Sequence, residues 1–201
     1  MPRVLTQTDV ADFRERLCEA ATRLFDAKGR EGFTMRELAS EIGVSAMTPY
    51  RYFKDKDDIL AAVRARAFNR FAASLEAAFK AASTAPEKSA AVYQAYIAFA
   101  FGEPAAYRLM FDLSQPDESA YPELVEANTR ARATMTCYVR ALVEDGILAG
   151  DPDLIGHVFW ASLHGAVVLK LAGKLGAEYD FDRICGESFR VLFEGYQRKR
   201  I

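Results

Sequence analysis

Phe33-Thr-Met-Arg-Glu-Leu-Ala-Ser-Glu-Ile-Gly-Val-Ser-Ala-Met-Thr-Pro-Tyr-Arg-Tyr-Phe53 is the stretch that decides the fold. Thr34 is a helix N-cap residue, and Glu37 stands three positions on. That is the spacing of a capping box, in which hydroxyl and carboxylate each take a backbone N–H that the helix start leaves unpaired. Phe33 before the cap and Leu38 behind it can form a hydrophobic staple. Leu38, Ala39 and Ile42 share one face, and Ala39 is small where two helices cross closely. Gly43 fits a turn that wants positive φ. Val44 plugs the angle between the helices, and Ser45 can cap a second helix. The order apolar, Ala, apolar, Gly, apolar predicts a helix-turn-helix.

Such a unit lays its second helix in the major groove of duplex DNA. The expected DNA-binding residues are Thr34, Arg36, Ser45, Ala46, Met47, Thr48, Tyr50, Arg51, Tyr52 and Lys56. Thr and Tyr hydroxyls bond phosphates, Met47 or the Thr48 methyl can touch a thymine methyl, and Arg51 can pair with guanine or phosphate. Asp55 can cap the next helix, which sets Lys56 at its start as a phosphate clamp. Pro49 is awkward inside a helix: either it sits in the first turn after Ser45, or the helix begins there, capped by Thr48.

Outward from this unit the pattern predicts an all-α chain. Apolar residues at 3–4 spacing place helices over about Asp9–Lys28, Lys56–Ala82, Glu87–Phe101, Ala105–Phe111, Tyr121–Glu144, Asp151–Leu171 and Phe181–Arg198. Residues 1–7 read as a loose arm and 114–119 as a loop. The helix after Asp151-Pro152 is apolar on nearly every side, so burial on both faces is expected, within its own core and against a partner.

The 201 residues carry a formal net charge of −2, so charge alone does not suggest nucleic acid. Residues 1–70 hold thirteen basic against eleven acidic side chains, and the remainder thirteen against seventeen. The sign agrees with DNA at the N-terminal end. Cys18, Cys137 and Cys185 are odd in number and far apart, which reads as buried thiols in a reducing cytosol. Residues 1–7 show no signal-peptide core, and no run approaches 18 uninterrupted apolar residues, so a cytoplasmic protein that spans no membrane is expected.

Gly32-Phe-Thr-Met-Arg-Glu-Leu-Ala-Ser-Glu-Ile-Gly-Val-Ser45 followed by Thr48-Pro-Tyr-Arg-Tyr-Phe-Lys-Asp-Lys56 resembles the DNA-binding domain of the TetR/AcrR family of bacterial regulators. The likeness covers about residues 9–60. The family favours a Lys-Gly pair, then Thr, Leu and Tyr in its recognition helix; this chain has Ala46-Met47 and Pro49. The resemblance implies backbone contacts for Thr48, Tyr50 and Lys56. Pro104-Ala-Ala-Tyr-Arg-Leu-Met-Phe111 and Trp160-Ala-Ser-Leu-His-Gly165 resemble the C-terminal module named after its Trp-His-Gly motif, which implies a small effector and dimerisation.

The expected effector-binding residues are Tyr96, Phe99, Met110, Phe111, Asn128, Met135, Tyr138, Phe159, Trp160 and His164. The aromatics suit a mostly apolar cavity, and Asn128 falls on an inward stripe as a polar anchor. His157 and His164, seven residues apart, are too distant for two ligands of one metal, which favour i,i+4 spacing; no metal or cofactor is expected. No G-x-S-x-G, phosphate-binding glycine loop or H-E-x-x-H points to catalysis. The expectation is a DNA-binding domain over 1–55 and an effector-binding and dimerisation domain over 56–201. The chain is read as a homodimeric repressor, not an enzyme, on palindromic operator DNA, released by a small, mostly apolar effector. The rival is a helical small-molecule carrier or enzyme that has lost DNA binding.

Overall fold

The computed structural model describes residues 6–112 and 117–197 and bears out the all-α class. Residues 1–5 of the arm expected over 1–7, part of the expected loop at 114–119, and Arg198 lie outside the described residues, and Thr6 and Gln7 belong instead to the start of α1. The helices are α1 (Gln7–Lys28), α2 (Met35–Glu41), α3 (Lys56–Ala81), α4 (Ala85–Gly102), α5 (Pro104–Met110), α6 (Pro122–Thr134), α7 (Cys137–Glu144), α8 (Pro152–Leu171) and α9 (Phe181–Tyr196). Single 3₁₀ turns occupy Pro49–Arg51 and Glu118–Ala120.

Capping explains most of the starts. Thr6 with Asp9, Thr34 with Glu37, and Thr84 with Glu87 each form a complete capping box. Asp151 accepts from the Asp153 and Leu154 N–H groups, and Pro152 takes the first helical position, where a missing N–H costs nothing. Asp180 caps α9 by accepting from the Arg183 N–H.

Two elements differ from the sequence pattern. The single helix expected over Tyr121–Glu144 is two, α6 and α7, parted at Met135-Thr136. Thr134 and Thr136 turn their hydroxyls back onto the Ala131 and Ala133 carbonyls, and the Met135 N–H bonds Arg132 at i−3. Threonines that compete in this way for helix carbonyls bend or break the ladder. The second difference is the helix expected after Ser45, described below.

Compact packing groups the residues up to Asn69 with Ala105–Asn128, and Arg70–Pro104 with those from Thr129 onward. The chain crosses between these units inside α3. In the first unit Leu17, Leu24, Phe33, Leu38, Phe53, Ile59, Leu60 and Leu109 form one buried core. In the second, Val139, Leu142, Leu148, Ile155 and Phe159 form another, with α8 packed on both α7 and α9. Over its best 18-residue window α8 reaches a mean hydropathy of 1.4, long and apolar enough to pass for a membrane span by composition. It packs on α7 and α9 along one side, and 28 % of that window is buried within the chain.

Candidate DNA interface and effector cavity

The DNA-facing unit is built around α2. The Glu37 N–H donates to the Thr34 hydroxyl at 3.2 Å, and the Thr34 N–H donates to the Glu37 carboxylate at 2.8 Å. Lys28 reaches the same carboxylate at 2.9 Å. The Lys28 ammonium, then Thr34, hold the Glu37 carboxyl below the usual carboxylate range. Phe33 and Leu38 are both fully buried in the core they staple together. Gly43 has φ +71°, and the turn closes with the Val44 N–H on the Ala39 carbonyl at 2.9 Å.

The next element is shorter than expected. Ser45 caps no helix. The Thr48 N–H bonds the Ser45 carbonyl at 2.9 Å, its hydroxyl lies 3.5 Å from the Ser45 hydroxyl, and only a 3₁₀ turn over Pro49–Arg51 follows. Nor does Thr48 cap that turn through its side chain. Pro49 has no N–H with which to bond Ser45 at i−4, so the tighter i−3 bond closes the turn. Arg14 of α1 pins the element: its guanidinium donates to the Tyr52 carbonyl at 2.7 Å and stacks on the Phe53 ring. Phe13 packs on the Tyr52 ring at 4.7 Å. Pro49 is buried, whereas Met47 is 69 % exposed and Tyr50 48 % exposed. Arg51 and, on α2, Arg36 are exposed and make no side-chain hydrogen bond or ion pair among the described residues. Ser45, Ala46 and Thr34 are also exposed, and Thr48 and Tyr52 half-buried.

Lys56 is placed otherwise than as a clamp. Its ammonium donates to the Arg30 carbonyl at 2.8 Å and the Phe33 carbonyl at 3.4 Å, and lies 3.6 Å from Glu31. The start of α3 is itself occupied by carboxylates: the Asp58 N–H donates to Asp55, and the Lys54 N–H to Asp58.

The second unit holds a cavity of about 50 Å³ among α4, α8, α9 and the α6–α7 break. Tyr96, Met135, Tyr138, Phe159 and Trp160, all expected from the sequence, are among its walls. Ser89, Val92, Tyr93, Ser162, Leu163, Cys185, Ser188, Phe189 and Leu192 complete it. The Trp160 indole N–H donates to the Tyr96 hydroxyl at 3.2 Å. Burial raises the Tyr138 phenol above its ordinary range and pushes Tyr93, which meets the Cys185 thiol, up to about 12. A groove of about 410 Å³ shares the walls Ser89, Tyr93, Cys185 and Phe189 and runs out between α4 and α9.

Five expected effector residues lie off these walls. Phe99 packs edge-on against Phe71 of α3 at 5.2 Å. His164 sits beside the Trp160 ring at 5.9 Å, held below the ordinary histidine range by burial. Met110, Phe111 and Asn128 belong to the first unit. There Phe111 packs on Phe68 and Tyr107, and the Asn128 amide donates to Glu118 at 2.7 Å. Glu118 in turn pairs with the buried Arg64, which also donates to the Met110 carbonyl.

Residues 17–63 match the family model described as bacterial regulatory proteins, tetR family. Residues 89–194, more than half of the chain, match that of a tetracyclin repressor-like C-terminal domain. The chain belongs to the TetR family. Its likeness to an HTH-type transcriptional regulator of Staphylococcus aureus is 41 % identity over 63 residues, 31 % of this chain and 34 % of the relative. The TetR-family chain thus spans about a third of the length of that curated relative. A Rhodococcus sp. RHA1 protein of unknown function superposes with a TM-score of 0.80 at 26 % identity, covering 98 % of this chain and 100 % of the other. A tetR-family regulatory protein from Rhodococcus RHA1 gives 0.71 at 18 %, covering 93 % and 98 %.

The wall residues that sequence reasoning missed lie mainly on α4 and α9. In this TetR-family chain their available signal was the run of small hydroxyls and a thiol — Ser89, Ser162, Cys185 and Ser188 — at inward helical spacing beside aromatics.

Proposed function

We propose that the chain is a homodimeric transcriptional repressor that holds palindromic operator DNA and lets go when a small, mostly apolar effector fills the α4–α8–α9 cavity. Residues 1–55 serve as the DNA-binding domain and 56–201 as the effector-binding and dimerisation part, in the cytoplasm and without catalysis. The observation that carries the reading is the trio Met47, Tyr50 and Arg51, an apolar side chain, an aromatic hydroxyl and an unpaired cation standing in solvent on a pinned turn. Groups of this kind match base edges and phosphates.

Dimerisation falls to α8 and α9, where Leu154, Val168, Leu169 and Val191 stand exposed. Gly165 and Gly195 have open space at their Cβ positions, which suits close approach of a second copy. Gly156 and Ala166 of the same helix are buried within the chain and take no part in such a contact. A two-fold pair presents two reading elements to a palindrome with half-sites about 34 Å apart.

The switch runs through α3. Phe71 of this helix meets the Tyr96 ring at 5.3 Å, and Tyr96 holds Trp160 in the cavity wall. The same helix begins at Lys56, immediately after the reading turn. An effector acts only by binding the released form more tightly, and nearly complete switching takes about 5.5 kcal/mol, shared by two sites. The coupling is reciprocal, so DNA weakens effector binding by the same total.

A gel shift with DNA from upstream of the protein's own gene tests the reading. Specific retention that Arg51→Ala abolishes supports it. Absence of specific binding favours the rival, a carrier or enzyme on the same fold, toward which the shortened reading turn and the engaged Lys56 lean. Tyr138→Ala should bind operator normally yet resist release.

A further inference from the structure

Among the described residues that wall the cavity and its groove, none carries a formal charge. The walls are phenyl, phenol, indole, aliphatic, thiol and hydroxyl groups. A carboxylate or ammonium brought here would lose its water and meet no counter-ion, and an unpaired charge in such surroundings is strongly disfavoured. Four wall hydroxyls, those of Ser89, Tyr138, Ser162 and Ser188, nonetheless lack a protein partner among the described residues. Ser89 is 7 % exposed and Tyr138 is half-buried beside Tyr96 and Trp160 in the wall, and neither hydroxyl takes part in a hydrogen bond among the described residues. These hydroxyls open onto the cavity, where water can reach them, and a ligand oxygen that displaces that water must accept or donate a hydrogen bond in its place. Burial holds the Tyr138 phenol protonated and therefore a donor.

Shape narrows the class further. The inner cavity of about 50 Å³ exceeds the roughly 30 Å³ share of one water but falls well short of a drug-sized pocket. The 410 Å³ groove that shares its walls can accommodate the remainder of a longer molecule. We propose that this site takes an uncharged, slim apolar molecule carrying a neutral hydrogen-bond acceptor, a ketone or ester carbonyl, and refuses the carboxylate and ammonium of the same skeleton. This rests on the reading of the cavity as the effector site and can be tested apart from it.

Trp160 is the only tryptophan in the sequence and stands in the cavity wall, so its emission reports occupancy. Full-length protein is titrated at pH 7 with 2-heptanone, heptanoate and heptylammonium. The ketone should give a saturable change, and the two ions should bind at least about a hundredfold more weakly. Tyr138→Phe, which keeps the ring, should weaken the ketone about two- to tenfold while leaving the melting temperature near native. Binding of either ion within tenfold of the ketone overturns the class. So does an unchanged Trp160 emission with 2-heptanone up to its solubility, or DNA release by the ketone without such a change. If the ketone binds but a gel shift finds operator DNA still held, the ligand class stands and the effector reading fails.

Discussion

At Lys56 the ammonium closes the turn between α1 and α2 by holding the Arg30 and Phe33 carbonyls, and a group so engaged has little left for a phosphate. Lys56→Met should therefore lower stability by about 1–2 kcal/mol, read as a fall in melting temperature. It should leave the salt dependence of DNA binding unchanged; a slope shallower by about one unit would instead restore Lys56 as a phosphate contact. Tyr50→Ala and Arg51→Ala should do the reverse: near-native melting, with DNA binding weakened by about 1–3 kcal/mol for the arginine if it reads a guanine. Glu37 supplies a pH test. Its folded pKa lies below the ordinary 4.5, so its contribution is complete above that value and disappears as pH falls through the lower folded value. The melting-temperature gap between native protein and Glu37→Gln should be widest at neutral pH and close in acid.

Among the elements, those announced by local chemistry were legible and those set by competition were not. Thr34, Glu37, Phe33, Leu38 and Gly43 act on their immediate neighbours, and α2 and its turn follow from them. Pro49 was visible as a difficulty, but only the three-dimensional pinning by Arg14 and Phe13 decides for a 3₁₀ turn over a helix. The α6–α7 break was hidden because 3–4 spacing of apolar residues runs straight through it. What breaks it is back-bonding by Thr134 and Thr136, together with α8 pressing close at Gly156. The same break sets Met135 and Tyr138 in the cavity wall, so those two residues could be named from their chemistry while their arrangement could not. A Cβ on Gly156 would stand 2.9 Å from the Met135 carbonyl oxygen, closer than real contacts allow. Gly156→Ala should cost about 1–3 kcal/mol in thermal or urea unfolding and shift Trp160 emission without any ligand.

For the whole molecule, the proposed pairing through α8 and α9 predicts a dimer at micromolar concentration by sedimentation. Val168→Glu combined with Val191→Glu should yield a folded monomer with greatly weakened operator binding, because charges buried without partners oppose the contact. A native monomer would refute the pairing. The network of Arg64, Glu118 and Asn128 bears on a different matter, the modularity of the chain. Arg64 comes from α3, both partners come from beyond α5, and Leu109 of the same unit's core comes from α5 itself. A chimera made with a single cut after Asn69, to graft this DNA-reading part onto a foreign sensor, would leave out Leu109 and both polar partners. The guanidinium would then be left in an apolar setting without a carboxylate, at about 3–5 kcal/mol. Functional grafts must carry residues 105–128 along with the N-terminal segment, so recombination among relatives should favour exchanging the two pieces together over a one-point crossover.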